Sequence, residues 1–457
     1  MINEHDIAES LHRLMKQALD SGQVNSLAEA EELYHSYQLE FEISENESRD
    51  PLQQATLLTA VALSRRVFLG GVFVLGELDV PLAVPITDGK TLGDAVRILG
   101  GKICDISLDR PLISIGGDAT NSAKSFHIRT VCSGWRGGIV PADSPLVADP
   151  GPPVPLAAML AAALAVNEAF MFLGPKLGGA GRRSVGLSLW NLSSREWLTV
   201  TESEPEIRFL PSKLWLIGLG HLGQAYLWGL SLLPFDSPSK LSLVLQDTDH
   251  LTRSSDSTCI LSDCSPTGTK KTRALAAWAE ARGFTAAIHE RKFDSSFRRQ
   301  EEEPSVALCG IDNAIGRRAL DQVGFDLVLE AGLGRGHRDF CTLRTHTLPG
   351  PRSAAEIWNS DTQPAEDVAE QAAYQKLVTD NALDRCGVTL LANKAVGAPF
   401  VGATAACVLL SELLRMLHGG QLNDVVDINL LCVEHRKVLI SKSKSLLRNP
   451  GFVEVSD

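Results

Sequence analysis

The sequence lacks an excess of basic charge. Its 457 residues include 43 Lys and Arg against 55 Asp and Glu, which gives a formal net charge of -12. Nonspecific binding to nucleic acid depends on clustered Lys and Arg that face phosphates. The composition therefore predicts no nucleic-acid partner.

Cysteine is also sparse. Nine cysteines in 457 residues are too few for a disulfide framework, and nine is an odd number. No C-x-x-C pair occurs, and Cys259 and Cys264 form a lone C-x4-C spacing without a second pair. The sequence therefore predicts free thiols and no structural zinc.

Long uninterrupted apolar runs are missing as well. Residues 1–17 are polar and amphipathic, without the apolar core of a secretory signal. The longest apolar segment, 154–174, is rich in Ala and contains Asn167 and Glu168, which favours a buried helix over a membrane span. We expect a cytoplasmic protein with no membrane partner.

What the sequence does contain is apolar material for buried sheets, 44% of its residues, in a chain longer than one core normally fills. From Lys213 onward, short apolar runs alternate with helical patterns, which is typical of a parallel sheet covered by crossover helices. This pattern predicts a doubly wound, mostly parallel α/β domain. Its predicted strands are 213–217, 241–245, 305–311 and 325–333, and its predicted helices are 222–233, 269–282 and 314–322.

The first part of the chain resembles the last part in one segment. An offset of 244 aligns Pro155 with Pro399 (399 − 155) and Glu168 with Glu412 (412 − 168). Two Ala-rich helices can look alike by chance, but a turn and a strand follow in both places. We therefore predict a degenerate duplication, with domains at 1–205 and 206–457. The first copy has no G-x-G-x-x-G.

Three glycines form the most informative motif. Gly218, Gly220 and Gly223 lie at a predicted strand-to-helix turn, where backbone N–H groups and the helix dipole can meet phosphate. Asp247 and Asp249 follow the second strand, where an acidic side chain can accept hydrogen bonds from ribose hydroxyls. Both features suit a dinucleotide such as NAD as well as they suit ATP.

Further polar residues follow at positions that suit phosphates. Lys271, 24 positions after Asp247 (271 − 247), is either a phosphate contact or a solvated charge. Asp312 and Asn313 directly follow strand 305–311, at the sheet edge where open α/β folds bind ligands. A carboxylate there can hold magnesium, and it can also cap the next helix. Arg317 is a surface charge or a phosphate contact.

The ordered set G-x-G-x-x-G, D-x-D, G-x-x-K and D-N-x-x-x-R resembles the adenylation domain of ThiF, MoeB and the ubiquitin-activating enzymes over residues 206–435. The resemblance implies that Asp247 binds ribose, Lys271 contacts phosphate and Asp312 holds magnesium. One motif departs from the family. The family carries S-N-x-x-R-Q, whereas SSDSTC from Ser254 has no Arg. Members of the family borrow an Arg across the interface of two halves, which nominates Arg65 or Arg66.

The resemblance also implies a cysteine that receives the activated carboxylate. Cys386 ends a polar crossover segment, about 340–390, and is the predicted nucleophile; Cys341 and Cys309 are predicted to be buried. An inactive-looking first copy, an active copy without zinc cysteines, and C-G before AVGAPFVGA resemble the activating enzymes of bacterial ubiquitin-like conjugation systems. Among the antiphage types, Bil and CBASS, the Bil type is most similar, because no conjugating-enzyme domain is evident at the amino terminus.

The expected function is therefore ATP- and magnesium-dependent activation of a ubiquitin-like protein, followed by transfer to a conjugating enzyme. A homodimer is compatible with it. Three alternatives stay open at this point. A sulfur-carrier adenylyltransferase normally has zinc cysteines, and an NAD-dependent oxidoreductase has no use for Lys271 and Asp312 together. An inactive nucleotide-binding scaffold would explain the missing Arg.

Overall fold

Each half of the chain builds its own mixed β-sheet in the computed structural model, which describes residues 10–106, 109–117, 124–359, 368–380, 383–442 and 451–455. Parts of the predicted amino-terminal and crossover segments, residues 1–9, 360–367 and 381–382, lie outside the described residues.

The first half begins with two helices and then alternates strands and helices. Its helices are α1 (Lys16–Asp20), α2 (Leu27–Ser36), α3 (Glu45–Arg49), α4 (Pro51–Ser64), α5 (Leu92–Ile98) and α6 (Pro155–Leu173). Its strands are β1 (Gln38–Ile43), β2 (Gly71–Gly76), β3 (Lys102–Ile103), β4 (Leu112–Ile115), β5 (His127–Ser133), β6 (Arg136–Pro141) and β7 (Val185–Ser188).

The second half repeats this alternation on a longer sheet. Its helices are α7 (His221–Leu232), α8 (Lys271–Ala281), α9 (Ala314–Arg318), α10 (Ala354–Ile357), α11 (Ala372–Thr379), α12 (Arg385–Ala392) and α13 (Pro399–Leu417). Its sheet strands are β9 (Lys213–Ile217), β10 (Ser242–Gln246), β11 (Thr285–His289), β12 (Val306–Cys309), β13 (Leu327–Leu333), β14 (Thr342–Leu348), β15 (Asn423–Asn429) and β16 (Lys437–Ile440). A small separate sheet pairs β8 (Phe209–Pro211) with β17 (Phe452–Glu454).

The two large sheets share one topology. The first has the order β3-β2-β1-β4-β5-β6-β7 and the second β11-β10-β9-β12-β13-β14-β15-β16. In both, neighbouring strands are parallel as far as β5 or β13 and antiparallel beyond it. The predicted mostly parallel α/β fold is confirmed. Shared topology is what the duplication hypothesis requires, while the inactive character of the first half and the domain bounds stay predictions.

Helices α6 and α13 pack against each other at the interface of the halves, together with α4 and α7. Both α6 and α13 have 19 residues and begin with the prolines that the offset of 244 aligned. In the described part of the chain, these are the two helices long and apolar enough to cross a membrane, and 89% and 94% of their apolar windows is buried inside the protein. The prediction of a buried helix at 154–174 is confirmed.

The polar residues of these helices have partners, which explains how they tolerate burial. Glu168 accepts hydrogen bonds from Arg183 Nε at 3.1 Å and Arg183 Nη2 at 3.0 Å. Glu412, at the equivalent place in α13, accepts from the Asn423 backbone N–H at 3.0 Å and from Asn423 Nδ2 at 2.6 Å. Both glutamates therefore tie the long helix to the segment that follows it.

The outer faces of the two sheets differ in chemistry. In β9, Trp215 and Ile217 face an apolar cluster that includes Phe293 and Phe297. In β1 the outward residues are acidic, and Glu40 is fully buried with Lys124 Nζ at 2.7 Å and Arg110 Nη1 at 3.3 Å. The first half thus has buried ion pairs where the second half has an aromatic layer.

Candidate functional site

The glycine turn joins the carboxyl end of β9 to α7. Gly218 has φ 85°, in the left-handed region, and a Cβ there would lie 2.9 Å from Ile311 Cγ2. A Cβ on Gly223 would overlap the carbonyl oxygen of Gly218. Gly220 caps α7 without a side chain, and apart from the adjoining backbone no described atom lies within 4 Å of the place of its Cβ. The turn therefore leaves open space at the positive end of a helix, which suits an anion.

Asp247 and Asp249 connect this turn to the end of β10. Asp247 Oδ2 accepts a hydrogen bond from the Leu219 backbone N–H at 2.7 Å, and Asp247 Oδ1 accepts from the Asp249 backbone N–H at 2.8 Å. Asp247 is thereby fixed beside the glycines. Its carboxylate oxygens still have lone pairs that can accept from hydroxyls.

Lys271, the first residue of α8, lies against both carboxylates. Its Nζ is 3.1 Å from Asp249 Oδ2 and 3.9 Å from Asp247 Oδ2. Burial opposes the charge, but Asp247 and then Asp249 outweigh it and raise the pKa of Lys271 above its ordinary value. Lys271 is therefore a fixed cation beside the glycine turn, and the alternative of a freely solvated lysine is wrong.

Asp312 and Asn313 follow β12, which pairs with β9 next to the glycine turn. Asn313, not Asp312, caps α9, because its Oδ1 accepts from the Gly316 N–H at 2.7 Å. Asp312 is exposed, and among the described residues its carboxylate has no hydrogen-bond partner. The capping alternative for Asp312 is therefore wrong, and its carboxylate remains available for a ligand. Helix α9 is also shorter than predicted, since a 3-10 turn replaces its second half at Leu320–Gln322.

Arg317 points into the protein. Its Nε lies 2.9 Å from Glu330 Oε1 in an ion pair whose carboxylate is fully buried. His346 Nδ1 lies 2.9 Å from the other oxygen, and Trp358 stacks at 5.8 Å from the guanidinium. Arg317 is therefore not a surface charge, and its contact with a nucleotide stays a prediction.

Arg65 and Arg66 directly follow helix α4. Both reach into the second half. Arg65 Nη2 lies 2.6 Å from Asp256 Oδ1, while Arg66 donates to the Cys259 and Ile260 carbonyl oxygens at 3.0 Å each. Arg66 is 2% exposed, and burial above all lowers its pKa to about 10. Arg66 therefore uses its donors to hold loop 253–264, and its contact with a nucleotide stays a prediction.

Arg13 is the residue that the sequence did not reveal. It lies in the amino-terminal segment and donates from Nη2 to Ser254 Oγ at 3.4 Å, at the start of SSDSTC. Its Nη1 is buried and has no hydrogen-bond partner in the described part of the chain. Burial lowers the pKa of Arg13. No motif marks Arg13, because 241 residues separate it from Ser254.

The thiols divide as predicted. Cys386 is exposed in the first turn of α12, next to Asp384, whose side chain accepts from the Gly387 N–H at 2.7 Å. Cys341 and Cys309 are buried, and burial raises the pKa of Cys309 to about 12. Cys259 and Cys264 are free thiols. Within the described residues, no group of three or more His, Cys, Asp or Glu is placed to hold a metal ion.

Comparison with known proteins gives consistent matches along both halves. The family described as "BilD N-terminal domain" matches residues 38–189, and "BilD C-terminal domain" matches residues 210–420. The chain is 42% identical over 413 residues to the bacterial E1-like protein BilD of Collimonas sp. (strain OK412). The alignment covers 90% of this chain and 89% of the Collimonas protein.

Solved structures show more distant likeness. E. coli MccB, crystallised with ATP, is 12% identical to this chain, with a TM-score of 0.32. The alignment covers 50% of this chain and 64% of MccB, which is less than two thirds of the length of MccB. The E. coli tRNA N6-threonylcarbamoyladenosine dehydratase TcdA in complex with ATP has 14% identity and a TM-score of 0.26, covering 45% and 86%. These alignments assign no role to any residue. By its sequence, however, the chain belongs to the BilD family of bacterial E1-like proteins.

Proposed function

We propose that the chain activates a ubiquitin-like protein with ATP, binds it as a thioester on Cys386 and passes it to a conjugating enzyme. The observation that carries this proposal is the unit formed by the glycine turn, Asp247 and Lys271, with Asp312 at the same sheet edge. The proposal places this activity in the cytoplasm, in antiphage conjugation, as the family resemblance implies.

The residues present fit ATP. Asp247 offers carboxylate lone pairs beside the glycine turn, where a ribose can donate its hydroxyls. The open space at Gly220 and the first N–H groups of α7 suit phosphate oxygens. Lys271 already carries its charge there, so phosphate replaces part of the attraction that Asp249 now supplies.

Magnesium fits the exposed carboxylate of Asp312, because oxygen ligands without another partner are what this ion takes up. Bound there, it would offset the negative charge of the triphosphate. Arg13 would add charge from the first half, because its buried Nη1 still lacks a partner within the described residues. This assigns to Arg13 the contribution that the sequence suggested for Arg65 or Arg66.

The proposed reaction has two steps, adenylation of the carboxylate and then formation of the thioester. A C-terminal carboxylate oxygen of the ubiquitin-like protein attacks the α-phosphorus, the bond to the β-phosphate oxygen breaks, and pyrophosphate leaves. Cys386, deprotonated, then attacks the acyl carbon, and AMP leaves with its phosphate oxygen. Lys271 and Arg13 stabilise the negative charge that develops in the first step, because fixed cations need no reorganisation.

A pyrophosphate-exchange assay tests the first step, with ubiquitin-like proteins encoded near this gene as substrates. We expect Lys271→Ala to lower exchange by about 100-fold, the usual effect of removing a fixed charge from the transition state. Lys270→Ala is the matched control, because Lys270 Nζ instead donates to the Thr248 carbonyl oxygen at 2.7 Å. Unchanged exchange in Lys271→Ala would contradict the proposal, and ATP binding without exchange in the wild type would favour an inactive scaffold.

A nonreducing gel tests the second step. We expect a thiol-sensitive adduct of the ubiquitin-like protein with the wild type and none with Cys386→Ala, while exchange continues in both. Cys432→Ala is the control, since Cys432 is partly exposed and lies after β15, outside the crossover. An adduct that survives in Cys386→Ala would show that another thiol, or none, is the nucleophile.

A further inference from the structure

The amino-terminal segment, residues 10–22, contacts both loop 253–264 and the stretch that follows the helix carrying Cys386. Arg13 donates from its side chain to Ser254 and accepts at its backbone oxygen from the Gly397 N–H at 3.3 Å. Gly397 belongs to the stretch that joins α12 to α13. Arg13 therefore contacts both loop 253–264 and the stretch that directly follows α12, the helix that contains Cys386.

The same segment also contacts the chain before the cysteine helix, through a cluster of three buried polar side chains that we call the Asp20 cluster. Asp20 accepts hydrogen bonds from Lys16 Nζ on Oδ2 and from the Tyr374 hydroxyl on Oδ1, each at 2.5 Å. Lys16 and Tyr374 are each 1% exposed, and Asp20 is 2% exposed. Lys16 and Asp20 belong to α1, whereas Tyr374 belongs to α11.

The Tyr374 hydroxyl is the donor in this cluster. Burial, and then the nearby Asp20 charge, raise the pKa of Tyr374 well above its ordinary value, so the hydroxyl keeps its proton. If Asp20 lost this donor, its buried carboxylate would keep the free-energy cost of desolvation without the compensating hydrogen bond. Loss of the Tyr374 hydroxyl should therefore destabilise the contact between α11 and α1. Gly22, at φ 71°, brings the chain close to Gln371 at the start of α11. Helix α11 therefore docks on α1 at a defined place.

Helix α11 in turn contacts α12, which holds Cys386 in its first turn. We infer that Tyr374 is a positioning residue for the thiol: by bonding to Asp20 it holds α11, and through α11 the Cys386 helix, on the segment that carries Arg13. This inference rests on the proposed function. Its consequence is that Tyr374 affects thioester formation without affecting adenylation, because its hydroxyl bonds to Asp20 and, among the described residues, to no residue of the glycine turn, Asp247, Lys271 or Asp312.

A second buried tyrosine that bonds to the amino-terminal segment provides a matched control. Tyr34 is also 1% exposed, and its hydroxyl donates to the Leu14 carbonyl oxygen at 2.9 Å. That bond joins α2 to the amino-terminal segment and does not reach the crossover. Tyr374→Phe and Tyr34→Phe therefore each remove one buried hydroxyl, but only the first removes a contact with α11.

The experiment compares pyrophosphate exchange and thioester formation in the full-length variants. We expect Tyr374→Phe to slow thioester formation roughly tenfold, as the loss of a hydrogen bond to a buried charge implies, and to leave exchange near the wild-type rate. Tyr34→Phe should leave the ratio of the two rates unchanged. Alkylation of Cys386 by N-ethylmaleimide should proceed equally fast in both variants, because the thiol itself is exposed in each.

The outcomes are distinct. Thioester formation that is unchanged in Tyr374→Phe overturns the inference, and so does an equal loss of both rates in the two tyrosine variants, since that reports general destabilisation. Exchange that is absent in the wild type overturns the proposed function and the inference with it. A loss of thioester alone, confined to Tyr374→Phe, supports the positioning role.

Discussion

Arg13 and Arg66 both contact loop 253–264, yet the structure predicts opposite effects for their removal. Arg66 donates to the Cys259 and Ile260 carbonyl oxygens, to the Ser262 hydroxyl at 3.1 Å and to Asp263 Oδ1 at 3.2 Å. Arg13 makes one long hydrogen bond to Ser254, at 3.4 Å. Arg66 therefore contributes much to the stability of the folded protein, and Arg13 contributes little.

The magnitudes follow from these contacts. Arg66→Ala leaves the Cys259 and Ile260 carbonyl oxygens without this donor, at about 1–3 kcal/mol for each, so it should lower the free energy of unfolding by about 2–6 kcal/mol, while the half-exposed Asp256 and Asp263 add little. Arg13→Ala should lower it by about 1 kcal/mol or less, the worth of a single weak hydrogen bond. Arg13→Ala should instead lower pyrophosphate exchange about 100-fold, or about 2.7 kcal/mol in the transition state.

Urea unfolding and pyrophosphate exchange on the same two variants test this prediction. Arg13→Lys is the finer control, because it keeps the charge but loses the planar fork, and we expect exchange between the wild-type and Arg13→Ala values. Exchange within a few-fold of wild type in folded Arg13→Ala would refute the reasoning. So would an activity loss in Arg13→Ala that merely follows its loss of folded protein.

Three further predictions concern stability and ions. Glu412→Ala should cost about 3–5 kcal/mol of unfolding free energy in urea, because the buried Arg415 loses its ion-pair partner and two Asn423 donors lose a buried acceptor, whereas exposed Glu434→Ala should cost little. Burial lowers the pKa of His221 to about 4, so unfolding takes up a proton below pH 6.5 and stability should fall by about 1–2 kcal/mol from pH 7 to pH 5. A pH profile that is unchanged in His221→Gln would contradict this. EDTA should stop exchange and leave the melting temperature unchanged, and exchange that persists in EDTA would argue against magnesium on Asp312.

The sequence predicted the second half of the fold closely, because its motifs and its periodicity agree. Strand 213–217 occurs as predicted, and the turn that follows needs glycine at 218 and 223 for steric reasons that the motif encodes. The offset of 244 identified two helices that do pack together. Local patterns were sufficient wherever local chemistry decided the structure.

The first half was harder to predict, and the reason is physical. Strand β1 carries Glu40 and Glu42 on its outer face, where buried ion pairs replace the apolar layer that usually reveals a sheet. Strand β2 begins only at Gly71, because α4 and the turn with Arg65 and Arg66 come first. The acidic residues of β1 made this buried strand hard to recognise in the sequence. The adjacent Arg65 and Arg66 look alike in sequence, but Arg66 is buried whereas Arg65 forms an ion pair with Asp256.

The contacts that matter most at the site join distant parts of the chain. Arg13 meets Ser254 across 241 residues, and Asp20 meets Tyr374 across 354 residues. Residue spacing within a single sequence predicts local contacts, and it does not predict contacts between residues so far apart in the chain. Arg13, to which we assign the cation that the sequence predicted at Arg65 or Arg66, lies in a segment without any motif.

The packing of α6 on α13 within one chain has a consequence for how the protein behaves on dilution. Two separate subunits joined by such a face would dissociate as their concentration fell, and any residue lent across the face would be lost. Here the linker between the halves keeps their effective concentration high at any protein concentration. Arg13 and loop 253–264 are thus present in fixed one-to-one proportion, so specific activity should be independent of enzyme dilution.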